Sequence, residues 1–370
     1  MNNEWKEYKL GEIITMNYGK ALKEQDRVQG DIPVYSSAGI IGYHNQAIIN
    51  SKGIIVGRKG TVGKIYFSDV PFCCIDTAYY LLPNDKNYDI EFLFYLLQTI
   101  GLQDLNEDSA VPGLNRNTFY SIEVLFPPLP EQNVIASILS SLDDKIDLLY
   151  RQNKTLEQLA ETIFRQWFVE EANESWKLDE LKNYVKVVDN RGKTPPNEEI
   201  WTDFPLIEAN ALNDEERLVN YSVIKKYVTE DIFNNWFRNK LNKYDTLITT
   251  VGANIGAMSM YLLEKGNIAQ NIIGLSAVGI SPFYLYQVLK FKKSEIIQMD
   301  IGGVQPSIKV PHLLSLNIPI PDFELQKMFD GYLNKFIGKI EINYCQIQTL
   351  TQLRDTILPK LMSGDVRVKI

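Results

Sequence analysis

The sequence is poor in cysteine and histidine and has no long hydrophobic run. Its three cysteines, Cys73, Cys74 and Cys345, form a sparse and odd-numbered set that argues against a disulfide framework and for a reducing cytoplasm. With only two histidines, the chain cannot assemble a Cys/His zinc cluster. No apolar run reaches the roughly 18 residues that a membrane span needs, and the polar segment 1–8 does not predict a signal peptide. We therefore expect a cytoplasmic protein without metal or membrane segment.

Catalytic signatures are missing as well. The chain contains no Gly-x-Gly-x-x-Gly, Gly-x-Ser-x-Gly or His-Glu-x-x-His pattern, and no Asn-Pro-Pro-Tyr-like adenine-methylase tetrad. We expect a chain that is not an enzyme and that binds no cofactor.

The charge is acidic overall but uneven along the chain. The net charge of −8 argues against the simplest kind of nucleic-acid-binding protein, which is basic. Where the charge sits matters more than its sum. Segment 52–68 contains Lys52, Arg58, Lys59 and Lys64 and no acidic residue, so it is the first candidate for a polyanion contact.

An internal repeat is the strongest signal in the sequence. Positions 112–163 align without a gap with positions 306–357, and 15 of these 52 positions are identical. Gln132 and Gln326 are one identical pair, and Tyr150 and Tyr344 are another. Weaker matches upstream pair Gly19-Lys20 with Gly192-Lys193. The second copy carries about 20 extra residues between Pro205 and Leu247.

Two long helices with a heptad pattern end the two copies. The spacing alternates steps of four and three residues, which is typical of a coiled-coil seam, although two ordinary amphipathic core helices would also fit. The seam of the first helix is Ile135, Leu139, Leu142, Ile146, Leu149, Asn153, Leu156, Ala160, Ile163 and Trp167. The seam of the second is Phe329, Leu333, Phe336, Ile340, Asn343, Ile347, Leu350, Arg354, Ile357 and Leu361. Paired antiparallel and centred, the two helices would bring Asn153 and Asn343 together and fix the register.

The remaining segments read as mixed α/β domains. In the first copy, segments 32–35, 53–57, 64–67 and 78–82 predict strands and 90–99 predicts a helix. In the second copy, 246–251, 258–262 and 272–278 predict strands and 282–291 a helix. The sequence thus predicts an α+β fold. Two similar mixed α/β domains would be separated by a pair of long antiparallel coiled-coil helices, with a pseudo-two-fold internal repeat.

One candidate DNA contact is the glycine-rich loop 57–64. It is either an ordinary turn or a loop in which glycines let the backbone approach DNA. Its polar candidates are Arg58, Lys59, Thr61 and Lys64. The repeat adds Lys20 and Lys193, and the weaker second-copy loop 250–256 contributes Asn254.

The other candidate is the loop 111–117 and its counterpart 305–309. Asn115, Arg116 and Gln305 are side-chain types that make bidentate contacts with bases, and Lys309 adds a charge. The alternative is a polar loop that caps the neighbouring helix. The two loops keep the proline but differ in their polar residues. This pattern is typical of one shared scaffold that presents different base-contacting side chains.

Four short motifs together resemble the specificity subunit of a type I restriction-modification system. They are the opening at 5–12 (WKEYKLGE), its echo at 176–180 (WKLDE), the segment 127–132 (PPLPEQ) and the ending at 358–364 (LPKLMSG). The resemblance covers nearly the whole chain and implies a non-catalytic subunit. In that family two target-recognition domains each read one half of a split double-stranded DNA sequence. The helices set the gap and dock two methyltransferase subunits, and motor-nuclease subunits join through the complex.

The implied domain bounds are 1–128 and 172–321 for the recognition domains, with helices over 129–171 and 322–370. The poorly basic loop 250–256 is a departure that weakens residue-level transfer to the second domain. A duplicated adaptor that bridges two protein partners without touching DNA is the alternative, and the acidic charge favours it.

Overall fold

The computed structural model describes two compact units. The described residues are 5–84, 88–105, 113–190, 192, 194–213, 216–268, 270–300, 302 and 305–369. Unit 1 comprises Met1–Asp147 and Ile347–Ile370, and unit 2 comprises Leu148–Gln346. Each unit therefore contains a globular part and about half of each long helix. No helix among the described residues is long and apolar enough to cross a membrane.

Unit 1 has a globular part built from two small sheets, one strand pair and short helices. Its strands are β1 (Lys6–Lys9), β2 (Asn17–Tyr18), β3 (Ile32–Ser36), β4 (Gly39–His44), β5 (Gly53–Gly57), β6 (Ile65–Ser68), β7 (Cys73–Cys74), β8 (Ala78–Leu81) and β9 (Glu123–Phe126). Its helices are α1 (Leu10–Ile13), α2 (Ile90–Thr99) and α3 (Arg116–Tyr120). The sheets have the orders β2-β8-β5-β6 and β4-β3-β7, and β1 pairs with β9.

The first long helix, α4 (Leu129–Arg165), continues into a π-helical turn at Gln166–Glu170. The second globular part follows with strands β10 (Lys177–Glu180), β11 (Val185–Val188), β12 (Leu206–Ile207), β13 (Thr246–Thr249), β14 (Met258–Met260), β15 (Asn267–Ile268), β16 (Ile272–Ala277) and β17 (Asn317–Ile320). Its helices are α5 (Glu230–Asn235), α6 (Pro282–Phe291), α7 (Lys293–Gln298) and α8 (Val310–Leu314), and the second long helix is α9 (Phe323–Ser363).

The two globular parts repeat one topology. The sheet β11-β16-β13-β14 of unit 2 has the strand order of β2-β8-β5-β6 in unit 1. A parallel pair recurs too, β3 with β7 and β12 with β15. The antiparallel pair β1–β9 has its counterpart in β10–β17. The predicted mixed α/β repeat is confirmed, and helices α2 and α6 have the predicted bounds.

A buried glutamine joins the globular part to the long helix in each unit. Gln132 accepts a hydrogen bond from the Asp89 backbone N–H at 2.9 Å and donates to the Pro127 carbonyl at 2.9 Å. Gln326 repeats this with Ser281 and Pro321, at 2.8 Å each. This structural role accounts for the identity of the two glutamines in the sequence repeat, because the amide satisfies the N-terminus of α2 or α6 and a buried carbonyl together.

The long helices run antiparallel within each unit. In unit 1, Asp143 of α4 binds Arg354 of α9 at 2.7 Å, and Glu131 near the start of α4 binds Arg367 beyond the end of α9. In unit 2, Asn153 near the middle of α4 lies beside Asn343 of α9. Every predicted seam position is buried or half-buried, so the heptad pattern correctly located the contact faces.

Candidate nucleic-acid interface

The two candidate loops of the first globular part lie side by side. The Leu114 backbone N–H donates to the Arg58 carbonyl at 2.9 Å, and Lys59 and Gly113 form an isolated antiparallel bridge. Gly57 at the base of the first loop has no room for a side chain, because a Cβ atom there would lie 2.0 Å from the Thr61 carbonyl oxygen. The described residues thus place segments 57–64 and 113–117 in one surface, although 48 residues separate them in the chain.

The second globular part joins its two loops in the same way. The Ile308 N–H donates to the Thr250 carbonyl at 2.8 Å, and the Gly252 N–H donates to the Pro306 carbonyl at 3.0 Å. Val251 and Ser307 form the isolated bridge. The hydrogen bonds make Thr250 the counterpart of Arg58. This backbone arrangement is therefore a property of the shared scaffold, while the side chains on it differ.

The basic candidates of unit 1 surround this surface. Lys20, Lys59, Thr61 and Lys64 are exposed. The Lys20 N–H donates to the Cys74 carbonyl at 2.8 Å, and Lys59 N–H donates to the nearby Thr77 carbonyl at 3.1 Å. Lys64 is folded toward an aromatic ring, with its Nζ 5.7 Å from the centre of Tyr66. Lys20 and Lys59 therefore both lie on backbone segments that are hydrogen-bonded to one turn, 74–78.

Arginine and tyrosine side chains alternate across the joined loops. The guanidinium carbon of Arg58 lies 5.0 Å from the ring centre of Tyr18, and that of Arg116 lies 5.4 Å from the same ring. Arg58 also lies 5.6 Å from Tyr79, and Arg116 lies 5.8 Å from Tyr120. We name these five residues the arginine–tyrosine cluster. Sequence reasoning missed its tyrosines, because they come from three distant segments.

Hydrogen bonds hold the tyrosines of the cluster in place. Tyr79 donates to the Leu114 carbonyl at 3.3 Å, and burial raises the pKa of its hydroxyl, so the phenol stays neutral. The Tyr120 hydroxyl accepts from the Met16 N–H at 2.9 Å. Tyr18, in contrast, is 47% exposed. The cluster is anchored at both ends and open at its centre.

Two asparagine candidates have local structural roles. Asn115 is the N-cap of α3 and accepts from the Asn117 N–H at 2.8 Å, which is the capping role that the alternative interpretation predicted. Asn254 donates from its amide to the Leu212 carbonyl at 3.1 Å. Both residues are exposed, but these bonds use one polar atom of each carboxamide, so a bidentate base contact would require the side chain to reorient.

The other unit 2 candidates are less concentrated. Gln305 and Lys309 are exposed at the joined loops, whereas Lys193 lies outside the described residues. The structure adds Gln270, which the sequence analysis did not single out. The Gln270 amide donates to the Thr194 hydroxyl at 2.7 Å. Gln270 directly precedes Asn271, whose carbonyl accepts from the Thr250 N–H at 2.7 Å. The second surface is thus rich in amides and poor in charge.

The polar layer of the helix pair lies within unit 2. The Asn343 Nδ2 donates to Asn153 Oδ1 at 2.8 Å, and a longer contact of 3.4 Å reaches Gln152 Oε1. Asn343 is 0% exposed, and its Oδ1 is buried without a hydrogen-bond partner among the described residues. The two asparagines are adjacent, as the layer numbering of the seams predicts.

Comparison with known proteins gives one family across the whole chain. The family model of the type I restriction modification DNA specificity domain matches residues 2–158 and 173–352. The MjaIX specificity subunit of Methanocaldococcus jannaschii is 24% identical over 344 residues, which cover 85% of this chain and 78% of that protein. The EcoBI specificity subunit of Escherichia coli is 22% identical over 389 residues, covering 93% of this chain and 79% of that protein.

A solved structure shares the fold. The crystal structure of a type I restriction-modification S subunit from M. genitalium matches with a TM-score of 0.66 and 18% identity, covering 98% of this chain and 97% of that chain. The relatives are named as specificity subunits, which agrees with the expectation of a non-catalytic chain. Since the family model matches two ranges that together make up most of the sequence, the chain belongs to the type I restriction-modification DNA specificity family.

Proposed function

We propose that each globular part reads one half of a bipartite double-stranded DNA target through its joined loops. The recognition domains would be 1–128 and 172–321, and the helical segments 129–171 and 322–370 would set the gap between the half-sites. The proposal includes a cytoplasmic location.

The observation that carries this proposal is the repeated loop junction. The same backbone hydrogen bond links Leu114 to Arg58 in one unit and Ile308 to Thr250 in the other. A repeated backbone frame with different side chains is suited to reading two different base sequences, because base edges are distinguished by the donors and acceptors placed against them.

The acidic net charge of −8 fits a chain that shares DNA binding with partners. We propose that two methyltransferase subunits dock on the long helices and supply much of the phosphate contact, and that motor-nuclease subunits join through them. Adenine methylation and its S-adenosylmethionine would belong to the methyltransferase subunits.

Mapping of methylated adenines tests the proposal. The chain is co-expressed with its methyltransferase subunit, and single-molecule sequencing of the host genome gives the modified motif. We expect two specified half-sites with an unspecified gap, and replacement of residues 305–309 should relax only one half. Loss of discrimination in both halves would show that the domains form one reading surface. Absence of any motif, with tight binding of two proteins, would favour the adaptor.

A further inference from the structure

The arginine–tyrosine cluster holds two guanidinium groups on one exposed ring. In order across the cluster, Tyr120, Arg116, Tyr18, Arg58 and Tyr79 alternate ring and cation, with every ring centre 5.0–5.8 Å from the neighbouring guanidinium carbon. Cation–π contacts at these distances restrict the arginines to a few orientations. The described residues place no carboxylate within ion-pair distance of either arginine. Arg58 Nη1 contacts the Asp76 carbonyl at 3.2 Å, and the Arg58 side chain also has a polar interaction with the Tyr79 hydroxyl. The remaining donors of the two arginines are available to a ligand.

The shared scaffold does not need this cluster. At the equivalent positions of the second domain, Thr250 replaces Arg58 and Val310 replaces Arg116, while Leu314 replaces Tyr120. The two domains nevertheless keep the same sheet order and the same loop junction. A set of costly polar side chains that the fold can omit points to a role in recognition rather than in packing.

The ligand must offer a double acceptor to each arginine, and either a guanine edge or a phosphate could do so. The geometry favours guanine. An arginine whose guanidinium carbon lies 5.0–5.8 Å from two ring centres has reduced freedom. Its planar fork matches the O6 and N7 atoms of guanine. Phosphate contacts need no fixed fork, and the exposed Lys20, Lys59 and Lys64, which lie on neighbouring segments, can supply them as point charges.

We infer that the first domain reads guanine in its half-site through Arg58 and Arg116, and that Tyr18 is the positioning residue that orients both guanidinium groups. The inference rests on the proposed function and specifies the base class read by one domain. The second domain, which has Gln270 and Gln305 at its surface, reads its half-site without such a pair.

The test measures methylation of DNA libraries with randomised half-sites by the assembled methyltransferase complex. The wild-type motif should contain guanine in one half. Arg58→Lys and Arg116→Lys keep the charge but lose the fork, so each should reduce discrimination for guanine by roughly 5- to 150-fold, in that half only. Tyr18→Leu should weaken the base preference at the same positions, and Tyr18→Phe should retain the wild-type preference because the ring face is kept.

A matched charge control separates base reading from phosphate binding. Lys59→Gln should lower the slope of log affinity against log salt by about 0.9 and leave the base preference unchanged. The inference is overturned if the half altered by the arginine variants contains no guanine, or if both arginine variants keep full discrimination, as phosphate contacts would. If the complex with Tyr18→Leu fails to assemble, the Arg58→Lys and Arg116→Lys variants alone test the inference. A wild-type complex without any sequence motif would refute the proposed function itself.

Discussion

The buried asparagine layer gives an asymmetric prediction for two similar substitutions. Asn343 is completely buried, and its Nδ2 has one good acceptor, Asn153 Oδ1 at 2.8 Å, with Gln152 Oε1 at 3.4 Å. Asn153 is only half-buried, so its amide can reach water. Asn153→Leu should therefore be harmful, and Asn343→Leu should be tolerated.

The magnitudes follow from which group is left unpaired. Asn153→Leu strands a buried donor, which costs about 1–3 kcal/mol, and the added burial of a half-buried leucine returns about 1 kcal/mol. Asn343→Leu removes that donor together with the unpartnered Oδ1, so we expect a neutral or stabilising change of about 1 kcal/mol. The double variant should recover most of what Asn153→Leu loses, because neither amide is then buried unpaired.

Urea unfolding of the full chain, combined with hydrogen exchange of the 148–165 segment, measures these changes where they occur. Asn133→Leu is the matched control, since it makes the same replacement at an exposed position of α4 and should change stability by less than about 0.5 kcal/mol. Equal tolerance of Asn153→Leu and Asn343→Leu would refute the reasoning from the hydrogen-bond geometry.

The same layer carries a functional expectation under the proposed function. A polar pair in an apolar seam selects one register. A slip of one heptad moves one helix along the other by about 10 Å, or about three base pairs. The double leucine variant should therefore keep close to wild-type stability and methylate sites with a wider range of gap lengths, whereas an unchanged single gap would show that other contacts set the register.

Three further predictions concern contacts made by the two long helices. Gln132→Leu should destabilise unit 1 by about 2–4 kcal/mol and Gln326→Leu should do the same for unit 2, because each leaves a backbone N–H and a carbonyl without a partner. Hydrogen exchange, followed separately in peptides from unit 1 and from unit 2, measures the two losses. A loss smaller than about 1 kcal/mol in both units would be inconsistent with the prediction. Arg354→Met should cost about 1–2 kcal/mol of stability because it removes the charged partner of Asp143. The cost is less than for a fully buried pair, because both side chains are about one-third exposed. If packing of the arginine stem dominates, high salt should not reproduce this loss in the wild-type chain. Burial raises the pKa of Asp330, which accepts a hydrogen bond from Ser281, so the folded protein binds a proton at this carboxyl more tightly than the unfolded chain does. The stabilising contribution of this proton is present below about pH 4 and is lost as pH rises through the raised pKa. Asp330→Asn should therefore flatten this part of the curve of stability against pH, measured by urea titrations.

The sequence by itself determined the features that depend on local periodicity. The gapless repeat, the heptad seams and the alternating strands each occupy a continuous stretch, so burial of one face imposes a pattern that can be read directly. Helices α2 and α6 have the predicted bounds, and α4 begins directly after the two prolines 127 and 128. The Asn153–Asn343 contact was also predictable, because antiparallel pairing of two regular helices converts layer number into position.

The tertiary structure alone decided how distant segments combine into a surface. Tyr18, Tyr79 and Tyr120 lie far apart in the chain and meet because β2 pairs with β8 and α3 packs on α1. Strand β1 pairs with β9 across more than 100 residues, with Lys6 opposite Phe126, and neither short strand has a pattern of its own. Such pairings are selected by the burial they achieve together, which no local window contains. The candidate loops were visible in the sequence as separate turns, and only the fold joined them and placed two arginines on one tyrosine ring.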